Sequence, residues 1–115
     1  MEEKKNIKIY RGKKAFDILE LIRIHPERYI SNKNINALQD FLNGYLAGNP
    51  YPDDNPPFWN FDHFLLEQTN FDIKNGNQNL ISKILLAESH GDGNKAFDIF
   101  FDYLAEYKKT GNNAG

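Results

Sequence analysis

The sequence predicts an all-α protein, a compact bundle of about five helices. Apolar residues recur at three- and four-residue steps along most of the 115-residue chain, the spacing that buries one face of a helix. Clusters of glycine, asparagine and proline divide the chain into segments of helical length. Hydrophobic residues make up 40% of the chain, enough to form one core. We therefore expect a single helical domain over residues 13–109, between a basic tail at 1–12 and a frayed tail at 110–115.

The first half of the chain predicts two helices. One runs from about 13 to 25 and ends before Pro26, because a proline disfavours helical geometry in the residue before it. The second runs from about 32 to 47, with either Ser31 or Asn34 as its N-cap. Their predicted buried residues are Ala15, Leu19, Ile22, either Phe16 or Ile18, Ile35, Leu38, Leu42, Tyr45 and Leu46. The pattern at 7–10 also fits a short strand, although no second strand pattern lies nearby to pair with it.

The second half predicts three more helices, at about 58–68, 78–89 and 94–108. The segment 49–57 contains four of the five prolines and is predicted to be a stiff loop that exposes Tyr51, Asp53 and Asp54. A turn is expected at 75–77. The Gly91-Asp92-Gly93 sequence separates the last two helices, and its best interpretation is helix capping rather than phosphate or calcium binding. The predicted buried residues here are Phe58, Phe61, Phe64, Leu65, Leu80, Ile81, Ile84, Leu85, Phe97, Phe100, Phe101 and Leu104.

Composition excludes several classes of function. There is no cysteine, which removes disulfides, thiolate metal sites and cysteine nucleophiles. No apolar run approaches the ~18 residues of a membrane span, and no secretory signal is recognised, so a cytoplasmic protein without membrane contact is expected. Residues 1–14 carry a net charge of +4 and residues 15–107 carry −8. An acidic body disfavours direct binding to nucleic acid.

No catalytic motif is present, so we expect no enzyme, no cofactor and no small-molecule substrate. His63 and Glu67 are spaced four residues apart on one predicted helix, a geometry that can place two metal ligands together. Zinc needs three or four ligands, however, and neither His25 nor His90 lies at a recognisable ligand spacing from them. The pair is therefore interpreted as an ordinary helix-surface pair, with a metal enzyme kept as the least favoured hypothesis.

A candidate binding face follows from charge and aromatic residues. Between Asp40 and Asp72 there are six carboxylates and no Lys or Arg. Trp59 lies off the apolar stripe of its helix and Tyr51 lies in the proline loop, so both are expected to be exposed, as interface anchors often are. The predicted partner-binding residues are Tyr51, Asp53, Asp54, Trp59, Asp62, Glu67 and Asp72, joined by Asp98, Asp102 and Glu106 at four-residue steps on the last helix.

Two aromatic patterns mark the second half of the chain. One places Trp59, Phe61 and Phe64 ahead of Ile81, Ile84 and Leu85. The other is the segment 95–107 (KAFDIFFDYLAEY), an Ala-Phe-Asp-x-Phe-Phe helix with an acidic and aromatic end. Together they resemble small bacterial immunity proteins encoded beside polymorphic or contact-dependent growth-inhibition toxins. The chain has Asn79-Leu80-Ile81 where a Gly-Trp pair is expected, which leaves the subgroup open.

The resemblance implies a cognate protein toxin as partner, often a nuclease with a basic cleft, blocked in a tight stoichiometric complex. It implies no catalytic residues. We therefore expect an immunity protein that occludes a toxin domain through its acidic face. The alternative is a helical adaptor or regulatory domain that binds some other protein.

Overall fold

The computed structural model describes residues 14–74, 76 and 78–114, with side chains described as far as 111. Within those residues the chain has five α-helices and no strand, which confirms the all-α prediction. The helices are α1 (Ala15–Ile24), α2 (Ile35–Gly48), α3 (Phe61–Thr69), α4 (Leu80–Glu88) and α5 (Gly93–Ala114). Two single turns of 3-10 helix are also present. Pro26–Arg28 lies between α1 and α2, and Phe58–Asn60 lies directly before α3. The predicted strand at 7–10 and the basic tail lie outside the described residues.

Helix α5 is the centre of the bundle and packs against α2, α3 and α4. Its buried side chains include Phe97, Phe100 and Leu104. The ring of Phe61 on α3 meets the ring of Phe100 edge to face, with centroids 5.4 Å apart. Such pairs add to the burial of apolar area that holds the helices together. Most predicted core residues are buried, whereas Phe16, Ile18, Tyr45, Leu46, Phe64 and Phe101 are partly buried at the edge of the core.

The starts of α2 and α5 follow the capping chemistry of short polar side chains. Asn34, not Ser31, caps α2, since its Oδ1 accepts a hydrogen bond from the backbone N–H of Asn36 at 2.8 Å. Asp92 caps α5 by accepting from the N–H of Lys95 at 3.0 Å. Helix α4 ends in a turn where Gly91 has φ +87° and donates its N–H to the carbonyl of Leu86, as the capping interpretation predicted.

The last helix is longer than the sequence predicted. It continues past Lys108 to Ala114, through the segment expected to fray. Thr110 donates its hydroxyl to the carbonyl of Tyr107, and Gly111 is buried against the proline loop. A Cβ at Gly111 would lie only 2.6 Å from Pro56 Cδ, so the close approach requires glycine here. Tertiary packing on the loop, which local composition does not reveal, therefore extends the helix.

Candidate protein-binding surface

The proline loop at 49–57 is anchored at both of its flanks. Asp54 Oδ2 accepts from the backbone N–H of Ala15 at 2.9 Å, and its Oδ1 accepts from Phe16 at 3.1 Å. At the other flank the hydroxyl of Tyr107 donates to the carbonyl of Pro57. The loop is thus fastened to the start of α1 and to α5. A loop held in this way presents its exposed side chains in a fixed position.

Two large aromatic side chains on and beside this loop are exposed. Tyr51 is 76% exposed and Trp59 is 51% exposed, as predicted. Their rings pack against each other edge to face, with centroids 6.2 Å apart. The neighbouring Phe58 is buried instead, stacked on Phe61. The 3-10 turn at 58–60 therefore places one aromatic residue in the core and turns the next one outward.

A groove opens beside Trp59, with a volume of about 190 Å³. Among the described residues that line it, Asp62 in the first turn of α3 is the only carboxylate. Asp62 forms no ion pair with any described residue, and its Oδ1 accepts only the N–H of His63 at 2.7 Å. Burial raises the pKa of Tyr107, and the charges of Asp54 and Asp62 raise it further, so this hydroxyl stays a neutral donor. The lining of the groove combines the half-exposed Trp59 indole with the Asp62 carboxylate, which is in no ion pair with the described residues.

The back of this groove is a chain of amides that the sequence interpretation missed. Gln39 donates to Asn43 Oδ1 at 3.1 Å, and Asn43 donates to Asn79 Oδ1 at 2.9 Å. Gln39 is only 7% exposed, and its Oε1 accepts from the backbone N–H of Ser82 at 2.9 Å. A signal for Gln39 was present, because it occupies a stripe position between Leu38 and Leu42, where a polar residue needs partners.

A second, separate cavity lies farther along α3. Asp62 and Leu80 also line this cavity of about 290 Å³, which extends to Ile73. Ile73 is 41% exposed, so an apolar side chain lies beyond Asp62 from Trp59. Asp72 lines the next cavity with Ile73 and pairs with Lys74 at 3.7 Å. We call Tyr51, Asp53, Trp59, Asp62 and Ile73 the Trp59 surface.

One predicted interface residue is not at the surface. Asp54 was expected to face solvent, but it is 8% exposed and caps α1 from 39 positions along the chain, so that expectation is wrong. Burial raises the pKa of Asp54, while the N–H groups of Phe16 and Ala15 act in the opposite direction. Its neighbour Asp53 is exposed, as predicted.

Glu67 is exposed on α3 and lies 3.4 Å from His63 Nε2. Among the described residues, no group of three His, Asp or Glu side chains is placed to hold a metal ion. The His63 and Glu67 side chains are both exposed and form an i, i+4 pair on the helix surface.

The remaining predicted residues lie on α5. Asp98, Asp102 and Glu106 are exposed on the side opposite Phe97, Phe100 and Leu104, as the helical spacing predicted. Asp98 pairs with Lys33 at 2.9 Å and Glu106 pairs with Lys109 at 3.1 Å. We call these three carboxylates the outer face of α5. Within the described part of the chain, the cavity beside Asp102 and Glu106 shares no lining residue with the cavities beside Trp59 and Asp62.

Comparisons with known proteins add no further constraint. No protein-family model, no curated protein and no solved structure matches this chain. Among the helices that the structure describes, none has the length and apolar content to cross a bilayer. The function is therefore argued from the surface itself.

Proposed function

We propose that this protein is an immunity protein, which neutralises a toxin domain by binding over a basic cleft through the Trp59 surface. The observation that carries the proposal is the exposed Tyr51–Trp59 pair, on and beside an anchored loop and next to the Asp62 carboxylate, which forms no ion pair with the described residues. The resemblance of the aromatic patterns to immunity proteins supplies the class of partner. The proposed mechanism is stoichiometric occlusion and needs no turnover.

Exposed aromatic residues support a protein partner. Tryptophan and tyrosine are enriched in the energetic centres of interfaces, where they remove large apolar areas from water. Trp59 and Tyr51 already contact each other, so little side-chain freedom is lost when a partner covers them. Ile73 extends the apolar contact beyond Asp62. These residues would form the centre of the proposed interface.

Charge supports a basic partner. The chain from 40 to 72 carries no Lys or Arg, and among the described residues Asp53 and Asp62 have no ion-pair partner. Unpaired carboxylates around an apolar centre attract a positively charged surface and raise the rate of productive encounter. A nuclease cleft that binds a phosphate backbone has the complementary charge.

The test uses calorimetry on purified proteins to measure binding to the C-terminal domain of the protein encoded by the adjacent gene, which the proposal requires to be a toxin. Trp59→Ala is expected to weaken the complex by about 30-fold or more, the effect of losing a central anchor worth about 2 kcal/mol. Tyr29→Ala is the matched control, since Tyr29 is an exposed aromatic residue in a different loop, after the turn that follows α1. The control is expected to bind within about twofold of the parent protein.

Equal losses for the two variants would remove the Trp59 surface from the interface. Failure of the parent protein to bind, or to restore growth of cells that produce the toxin domain, would overturn the immunity function. Trp59-dependent binding to a protein that is not a toxin would instead favour the helical adaptor.

A further inference from the structure

The groove beside Trp59 has the dimensions and chemistry of a receptor for one side chain. We propose, with the function above identifying the source of the side chain, that it seats an arginine of the partner protein. In this arrangement the guanidinium lies against the Trp59 indole and pairs with the Asp62 carboxylate, and the amides of Asn43 and Asn79 lie behind it.

Volume favours a single side chain over a free metabolite. The groove measures about 190 Å³. Pockets for drug-sized ligands span roughly 300–1,000 Å³ and bury most of the ligand. A groove below that range, open on one side, is suited to a residue that projects from a larger surface.

Charge and shape favour arginine over other side chains. Asp62 is in no ion pair with the described residues, so it repels an anion and attracts a cation. A guanidinium is planar, stacks on aromatic faces and carries five N–H donors, whereas a lysine ammonium is a compact, strongly hydrated charge. Tryptophan is the aromatic residue that attracts cations most strongly.

The amide chain supplies further acceptors. Asn43 Oδ1 and Asn79 Oδ1 each accept one hydrogen bond within the chain, and a carbonyl oxygen has a second lone pair available. Gln39, fixed by the N–H of Ser82, holds the first amide in orientation. The spread of oxygen acceptors around an indole matches the forked donors of a guanidinium better than a single ammonium.

The protein contains one tryptophan, so the Trp59 indole gives a single N–H signal in a nitrogen-correlated NMR spectrum. The probes are the peptide acetyl-Gly-Arg-Gly-amide and its analogues with lysine or citrulline in place of arginine. The arginine peptide is expected to shift the indole signal saturably, with a Kd on the order of a few millimolar. The lysine peptide should bind about tenfold more weakly, a difference of about 1.4 kcal/mol, and the neutral citrulline peptide should produce no saturable shift.

Asp62→Asn keeps the size of the side chain and removes its charge. This variant is expected to bind the arginine peptide about tenfold more weakly than the parent protein. Asp102→Asn removes a carboxylate of the outer face of α5 that forms no ion pair with the described residues, and it should leave the peptide affinity unchanged. Circular dichroism spectra matching the parent protein would establish that both variants remain folded.

The proposal is overturned by an unchanged indole signal up to about 50 mM arginine peptide, well above the millimolar range expected of weak contacts. Equal binding of the citrulline peptide, or equal affinity in Asp62→Asn, would also overturn it. This result is separable from the immunity function. If the parent protein binds the toxin but not the arginine peptide, and Asp62→Asn still binds the toxin, the immunity function stands and the arginine site is rejected. If the parent protein binds the arginine peptide but no toxin domain, the arginine site stands and the immunity function is rejected.

Discussion

The Trp59 surface and the outer face of α5 both display carboxylates, but those carboxylates have different neighbours. On α5, Asp98 and Glu106 lie within 3.1 Å of lysine side chains, and the same helix also exposes Lys95. On the Trp59 surface, Asp53 and Asp62 have no such cation among the described residues, and Asp62 lines the same groove as the exposed Trp59 ring. The outer face of α5 thus has two of its three carboxylates paired with lysines, whereas Asp53 and Asp62 have no lysine or arginine partner among the described residues.

The difference means that the number of acidic residues on a face does not measure how much of its charge is available to a partner. A row of acids at four-residue steps on a helix is commonly balanced by lysines one turn away, which gives a solvated and nearly neutral stripe. An acidic segment without basic residues keeps its field. We therefore assign the proposed interface to the Trp59 surface and not to the outer face of α5.

The largest expected effect comes from a substitution in the core that lies beneath both surfaces. Phe61 is fully buried, with its ring near those of Phe58, Phe100 and Tyr107. Phe61→Ala should lower the free energy of unfolding by about 3–5 kcal/mol, because it leaves a cavity between α3 and α5. Urea denaturation measures the change. Tyr51→Ala, an exposed aromatic control, should cost about 1 kcal/mol or less. Similar costs for the two variants would contradict the shared core.

The next effect separates the two neighbouring acids of the proline loop. Asp54→Ala removes the acceptor for two backbone N–H groups at the start of α1 and should cost about 2 kcal/mol in the free energy of unfolding. Asp54→Asn keeps one acceptor oxygen and should cost about half as much. Asp53→Ala, on the exposed neighbour, should have little effect on urea denaturation. A large loss for Asp53→Ala would reverse the two assignments.

The pH dependence of stability gives an independent test of Asp54. Because burial raises its folded-state pKa above the unfolded value, the folded protein holds this proton more tightly than the unfolded chain does. The associated stability is fully present below the ordinary pKa of about 3.9 and is lost as pH rises through the raised folded pKa. The stability of the parent protein relative to Asp54→Asn should therefore decline with rising pH across this window. If the parent protein instead became more stable relative to Asp54→Asn as the pH rises, the burial of this carboxyl would be contradicted.

The electrostatic contrast between the two surfaces is tested by reversing the charge of two carboxylates on each of them. Asp53→Lys with Asp62→Lys should slow association with the toxin domain by about tenfold and weaken its dependence on salt. The matched pair Asp102→Lys with Glu106→Lys changes the net charge equally but lies on the outer face of α5. Stopped-flow measurement should show that this pair slows association by about twofold or less. Equal slowing would mean that only net charge matters.

The smallest expected effect concerns an ion pair on the outer face of α5. Glu106→Gln removes the partner of Lys109, an exposed pair, and should change the free energy of unfolding by about 0.5 kcal/mol or less. Thermal unfolding at low and high salt measures it. A loss above about 1 kcal/mol would show that the ion pair contributes more than exposed pairs usually do.

The fold was predictable because helical periodicity is local. The stripes that define α1, α2, α4 and α5 need only neighbouring residues, and most of the residues they predicted as core are buried. The exposure of Tyr51 and Trp59 also followed from local pattern. Asp54 was not predictable, since the two N–H groups that it caps lie 38 and 39 positions away. The groove beside Trp59 depends on α2, α3 and α4 coming together, and no single segment encodes that contact.

The proline loop has one further consequence. The beginning of α1 is fastened to Asp54, while Tyr107 and Gly111 near the end of α5 rest on Pro57 and Pro56. Helices from opposite ends of the described chain thus converge on one short segment. Because one segment joins the start of α1 to the end of α5, a substitution that loosens either attachment would also free the backbone that carries Tyr51.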